Sequence, residues 1–306
     1  MLHHSTRAGM VQLLYHTPEM NSKSHPEKMS LPSMSAMMLP TFFSLRRGKQ
    51  IGKEGIHIEK SFEDIRINTA KMDAFLSYFG FQSKSPLVYL YVLAQRAQIK
   101  VMLDHEFTLP IPGMIHVENL LTQSLEYNRD KPFHIRATMK VPYKEEGSLI
   151  PISEIHFMQE EKKVAYCKST YLAKRKSAKK SPKKEKIIPE IASLLHQDSL
   201  KLDVSLARKY AAISGDKNPI HTSSLLAKVF GLKDAIMHGW YSVCLAEKQF
   251  EKFSSERIKE IAVNFISPIS LPSSSTFKFG KDKADSISFQ VKSDQEEKVL
   301  LCGNLS

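Results

Sequence analysis

Apolar residues recur at Met72, Phe75, Leu76 and Phe79, the i, i+3, i+4, i+7 spacing of one helix face. The pattern predicts a helix over 69–81, with Thr69 as N-cap and Gly80 near its stop. Residues 86–103 read as a longer helix, apolar on too many sides for a surface position. Strand-like patterns follow at 135–141, 150–158 and 164–172, and the polar run Glu160-Glu161-Lys162-Lys163 between the last two predicts a hairpin. The cycle then begins again. Ser205 can cap a helix to Ile213, residues 219–230 predict a second helix and 239–253 a third. Strand-like runs close the chain at 258–266, 275–279, 287–291 and 298–303. Each half, roughly 100 residues long, therefore reads as helices first and antiparallel strands afterwards, an α+β layout occurring twice. A parallel βαβ order would alternate instead.

Composition adds mostly exclusions. With 42% hydrophobic and 25% charged residues and 12 Gly in 306, the chain is neither collagen-like nor wholly disordered. Its longest apolar run, 87–94, falls far short of the ~20 residues that span a bilayer, so no membrane partner is expected. Cys167, Cys244 and Cys302 are too few and too scattered for a disulfide framework or a zinc knuckle. A reducing, cytoplasmic location is the expectation, and Cys244 fits a core position on the third helix.

The net charge of +12 suggests nucleic acid until it is located. Residues 1–60 carry +4 and residues 174–186 (KRKSAKKSPKKEK) carry +7, whereas 61–173 and 187–306 are balanced to within one charge. The basic run has no aromatic residues to stack bases and reads as a solvated tether rather than a nucleic-acid or coenzyme phosphate site. Residues 1–36, rich in His, Ser and Met, lack the several Arg of a transit peptide and a secretory apolar core. They are expected to be a disordered extension, with Met20, Met29, Met34, Met37 and Met38 as further candidate starts. The expected organisation is this extension, a first body over 37–173, a linker over 174–186 and a second body over 187–306.

One stretch carries most of the chemistry: residues 210–221, YAAISGDKNPIH, followed by Ala227, Gly231 and Ile236-Met237-His238-Gly239. Asp216 and His221 are five residues apart, about 140° around a continuous helix, and could not share a substrate atom there. Gly215 tolerates positive φ and Pro219 disfavours helical Asn218, so the helix must break between them. Asn218 as N-cap and Pro219 at the first helical position then start a new helix with His221 in its first turn. The break lets a carboxylate and an imidazole converge on one water, as reversible water addition requires. His238-Gly239 opens the third helix, whose first-turn N–H groups and dipole favour a developing oxyanion; Gly239 would let a ligand come close. Tyr210 reads as core, His116 and Asn119 as structural, and His238 either lies near the ligand or packs the helix start.

These residues strongly resemble the MaoC-like, or hydratase-2, branch of the hotdog-fold superfamily, whose signature Tyr-Ala-x-x-Ser-Gly-Asp-x-Asn-Pro-Ile-His is matched at every named position. The resemblance covers about 205–268, including Phe265 and Pro268. A weaker one spans Leu87 to Glu118, through Tyr89, Tyr91 to Ala94, Pro110, Pro112-Gly113 and His116-Val117, which look like the first half of two-hotdog acyl dehydratases. The resemblance implies a double hotdog, two antiparallel sheets each wrapped around a long central helix, with a non-catalytic first half supplying the acyl tunnel. It implies Asp216 and His221 as catalytic residues, and Ser214, Asn218, His238 and Gly239 as substrate-binding ones. The implied reaction belongs to fatty acid metabolism: hydration of trans-2-enoyl thioesters of coenzyme A or acyl carrier protein to (R)-3-hydroxyacyl thioesters, or its reverse. Neither a metal nor a cofactor is implied, and a homodimer of such chains is permitted. Two rivals stand beside this reading, an acyl thioesterase on the same fold and a non-catalytic acyl-thioester-binding module.

Overall fold

A computed structural model describes residues 29–48, 51–175 and 188–306. Most of the expected extension 1–36 and most of the linker 174–186 lie outside the described residues. In chain order the elements are α1 (Met34–Phe43), β1 (Ile56–Ile65), α2 (Thr69–Phe79), α3 (Leu90–Met102) and β2 (Ile115–Gln123). Next come β3 (Phe133–Val141), β4 (Ile152–Gln159), β5 (Lys162–Leu172), β6 (Ile191–Leu202), α4 (Val204–Ser214), α5 (Pro219–Thr222) and α6 (Ser224–Val229). The chain closes with α7 (Gly239–Phe253), β7 (Glu260–Phe265), β8 (Ser273–Asp282), β9 (Ile287–Ser293) and β10 (Val299–Leu305).

The two halves repeat one topology. The described strands form one antiparallel sheet in the order β1-β3-β4-β5-β2-β7-β10-β9-β8-β6. Read outward from the centre, β2-β5-β4-β3-β1 and β7-β10-β9-β8-β6 are the same path. The two expected sheets are thus continuous, because β2 and β7 pair from Glu118↔Asn264 to Thr122↔Glu260 and neither central edge is left open. The expectation of helices before strands also needs correction, since β1 precedes α2 and α3, and β6 precedes α4.

Local chemistry explains the boundaries. The α2 helix is capped by Asn68, which accepts from the Lys71 N–H, rather than by Thr69, and Gly80 ends it in the left-handed conformation at φ +70°. Asp203, not Ser205, caps α4. The predicted helix over 219–230 is broken at Ser223, extended at φ −149°, whose hydroxyl accepts the Leu226 N–H and restarts the chain as α6. The β4–β5 hairpin turns through Glu160 and Glu161 at φ +49° and +63°, the positive pair that a tight two-residue turn requires.

The core centres on the two long helices. In α3, Leu90, Leu93, Ala94, Ala97, Val101 and Met102 are buried, and this helix packs over β1, β3 and β4. In α7, Trp240, Val243, Cys244, Ala246 and Phe250 are buried, and it packs over β8 and β10. All three cysteines are buried and free. Residues 29–36, expected to be unordered, are held instead: Arg96 donates to the carbonyls of Leu31 and Pro32, and Met29 bridges to Phe62. Arg175, at the start of the basic run, donates to the carbonyls of Gly147 and Lys144. Among the described residues no helix is long and apolar enough to cross a membrane.

Candidate active site

The helix break falls where the residues demand it. Gly215 caps α4 at φ +81° and its N–H returns to the Ala211 carbonyl. Ser214 donates its hydroxyl to the Tyr210 carbonyl at 2.8 Å and accepts the Asp216 N–H at 3.2 Å. This buried hydroxyl therefore shapes the turn that presents Asp216. Asn218 does two jobs: its N–H donates to Asp216 Oδ1 at 3.2 Å, and its side chain accepts the Ile220 N–H to start α5.

Asp216, His221 and His238 meet at the end of this turn. One donor atom from each lies within 4.8 Å of the other two, and the rings of His221 and His238 stack with centroids 3.8 Å apart. His221 Nδ1 faces the Ile236 carbonyl at 2.8 Å, which places its proton on that nitrogen and leaves Nε2 unprotonated. His238 Nε2 faces the Asp216 carbonyl at 3.0 Å, so its Nδ1 is the unprotonated nitrogen, buried with no protein partner. Tyr210, buried as expected, packs beneath His238 at 4.8 Å. An acid and two imidazoles at this spacing can hold a water, and the same three side chains have the donor set of a cation site.

Protonation states follow from the surroundings. Burial pushes the Asp216 carboxyl up, but His238, His221, the Gln95 amide and the Asn218 N–H outweigh it and hold the group below the ordinary carboxylate value. Burial pushes His221 down, against the pull of Asp216 and the Ile236 carbonyl. His238 is pushed down to about 3 by burial and by His221. Near neutral pH the site therefore combines an ionised carboxylate with uncharged imidazoles, and amide donors are what then steady the charge.

Gly239 begins α7 next to His238, as expected, but its missing Cβ serves packing. A Cβ there would lie 2.5 Å from a ring carbon of Phe265. Phe265 in turn touches His116, which lies against Tyr91 and Tyr171, while Tyr91 stacks on Trp240 at 3.9 Å. This aromatic wall joins the two halves beside the acid and imidazoles. His116 is partly buried, its imidazole is pushed down to about 3 by desolvation, and it bonds Tyr91 through Nδ1.

One contact was not visible in the sequence. Gln95, on α3 of the first half, donates Nε2 to Asp216 Oδ2 at 2.7 Å. It lies outside every motif, and nothing in its neighbours marks it. A separate cleft of about 610 Å³ is lined by Glu63, His134, Arg136 and His156 among others, and none of the expected site residues borders it.

The fold and this turn define a class, and comparison with known proteins agrees. Residues 190–300 match the family described as MaoC like domain. A curated relative, 3-hydroxyacyl-thioester dehydratase X of Mycobacterium tuberculosis, is 25% identical over 225 residues, 69% of this chain and 75% of that protein. The crystal structure of HtdX from the same organism superposes with a TM-score of 0.66 at 20% identity, over 81% of this chain and 99% of the other. A MaoC-like dehydratase from Phytophthora capsici gives 0.61 at 17% identity, over 83% and 95%. The likeness in fold thus extends across both halves of the chain.

Proposed function

We propose that this protein is a hydro-lyase that reversibly adds water to trans-2-enoyl thioesters, giving (R)-3-hydroxyacyl thioesters of coenzyme A or acyl carrier protein. The observation that carries the reading is the convergence of Asp216 and His221 on one point across the Gly215–Pro219 break, the first ionised and the second neutral near pH 7. Water held between the Asp216 carboxylate and His221 Nε2 attacks C3. As the C3–O bond forms, the π electrons move toward the thioester carbonyl and C2 gains a proton. The base that accepted the water's proton delivers it to C2, and the pair ends as it began. First-turn N–H groups of α7, at Gly239, stabilise the developing enolate oxygen. Ser214 and Asn218 keep the turn in shape, and His238 orders the water. The (R) configuration rests on the match to the hydratase-2 signature, and the thioester class on the named relative.

In this reading the molecule is a double hotdog, with bodies at 37–173 and 187–306 joined by 174–186, and the first body bounds the acyl chain along the wall of Tyr91, His116, Tyr171 and Phe265. The test is hydration of trans-2-enoyl-CoA substrates of graded length, followed by loss of the conjugated-thioester absorbance, with chiral analysis of the product. Rapid formation of the (R)-alcohol without free thiol is expected. Release of free thiol would instead make the protein a thioesterase, and binding without turnover a carrier of acyl thioesters.

A further inference from the structure

Each central helix reaches into the other half. From α7, Glu247 accepts the N–H groups of Leu87 and Val88, and Glu251 those of Gln82 and Ser83. The loop after α2 offers bare N–H donors, and the partner helix supplies carboxylates. In the second half the loop after α4 presents the opposite charge, the Asp216 carboxylate, and α3 meets it with an amide donor, Gln95. In both contacts the partner helix supplies the hydrogen-bonding group that the loop itself lacks.

The consequence for Asp216 is specific. Its Oδ1 takes the Asn218 N–H and its Oδ2 takes Gln95 Nε2, so each oxygen is oriented by one donor and keeps a second lone-pair direction for water. Without the amide, Oδ2 would lose its shortest contact, in a burial environment that favours the neutral acid. We propose that Gln95 is a positioning residue, supplied by the half that lacks the signature, which orients the Asp216 carboxylate and keeps it ionised for water addition. The first half is then part of the catalytic constellation as well as a wall for the acyl chain. This rests on the hydro-lyase reading above.

The groups that face Asp216 are few. His221 comes from α5, His238 from the start of α7, Tyr210 from α4, Tyr91 from α3 and Tyr171 from β5. Burial pushes the three phenols up and the two imidazoles down, so all five are uncharged near neutral pH. The carboxyl titrates below its ordinary value, where His238 also takes up a proton. The effect of the amide is therefore read as the difference between wild type and the Gln95 variants, in which both imidazoles are retained.

The experiment uses the full-length protein with Gln95→Met, close in shape but without a donor, and Gln95→Glu, which sets a second carboxyl beside the first. The Asp216 carboxyl is followed by ¹³C NMR during a pH titration and assigned by its loss in Asp216→Asn. Steady-state kinetics on enoyl-CoA and thermal melts are recorded in parallel. Expected for Gln95→Met are an upward shift of the carboxyl titration, a kcat lower by about 10- to 100-fold, the weight of a hydrogen bond to a charge, a KM within about two-fold, and an unchanged melt. Gln95→Glu should shift the titration further. An unmoved titration overturns the proposal even if kcat falls, since the loss is then structural. A shifted titration with wild-type kcat also overturns it. Wild-type protein that hydrates no thioester would sink the hydro-lyase reading and with it the catalytic half of this proposal, while the titration would still decide whether Gln95 sets the carboxylate.

Discussion

Glu247 is a buried carboxyl outside the chemistry, and its proton should be written into the protein's stability. It is 4% exposed on α7 and takes the Leu87 and Val88 N–H groups at 2.6 and 2.7 Å, while Trp240 Nε1 donates back to the Val88 carbonyl at 3.1 Å. Burial pushes it up from 4.5 to about 8, against the two amides, which favour the ionised form. The unfolded chain releases this proton near the ordinary value. Between the two values the folded protein holds a proton that the unfolded chain has lost, so the contribution is full below the lower value and vanishes as pH rises through the upper one. At about 1.4 kcal/mol per unit this amounts to roughly 3–5 kcal/mol across the window. Glu247→Gln keeps the shape but cannot titrate, and its NH₂ must face one of the amide donors, a cost of about 1–3 kcal/mol. Urea unfolding of both proteins from about pH 5 to about pH 8.5, extrapolated linearly, measures the gap between them. The variant should be the less stable at the acid end, with the gap closing or reversing by the alkaline end. A gap constant to within about 1 kcal/mol would refute the reasoning, because Glu247 would then be ionised in the folded protein throughout.

The other expectations are brief. Asp216→Asn and His221→Gln should each lower turnover by about 10² to 10⁴, with melts close to wild type; a variant keeping more than about a tenth of the rate removes that residue from the chemistry. Gly239→Ala sets a Cβ 2.5 Å from a Phe265 ring carbon, and should cost about 1–3 kcal/mol of stability by overpacking; a wild-type melt would mean that Phe265 moves freely. Because His221 must be unprotonated to accept a proton and is pulled below its usual 6.5, kcat/KM should hold through that pH and fall only below it. An acid limb at or above 6.5 would contradict the assigned state.

Legibility in the sequence followed the physics of each element. The α7 helix was predicted at its observed bounds, 239–253, because one apolar face and a glycine start leave little alternative. The strands β1 and β6 escaped notice because both are outermost in the sheet. In β6 only Leu202 is buried, so there is no alternation to read. The strand β2 lies at the centre, yet its inward positions include buried Asn119 and Gln123, polar residues that mask a core strand. Ser223 split the predicted helix over 219–230 through a cap that periodicity does not register. The turn holding Asp216, Asn218 and His221 was legible because those residues are contiguous and their break is dictated by Gly215 and Pro219. Gln95 was not legible, because its role comes from the packing of α3 against the other half's loop, 121 residues away in sequence.

The central claim is that Asp216 and His221 act on one water. A double-mutant cycle tests it most directly: initial rates of enoyl-CoA hydration for wild type, Asp216→Asn, His221→Gln and the pair. Groups that serve a single proton transfer lose most of their effect together. The account predicts that the double variant is within about ten-fold of the slower single variant. Losses that multiply across the two sites would contradict it, showing two independent contributions.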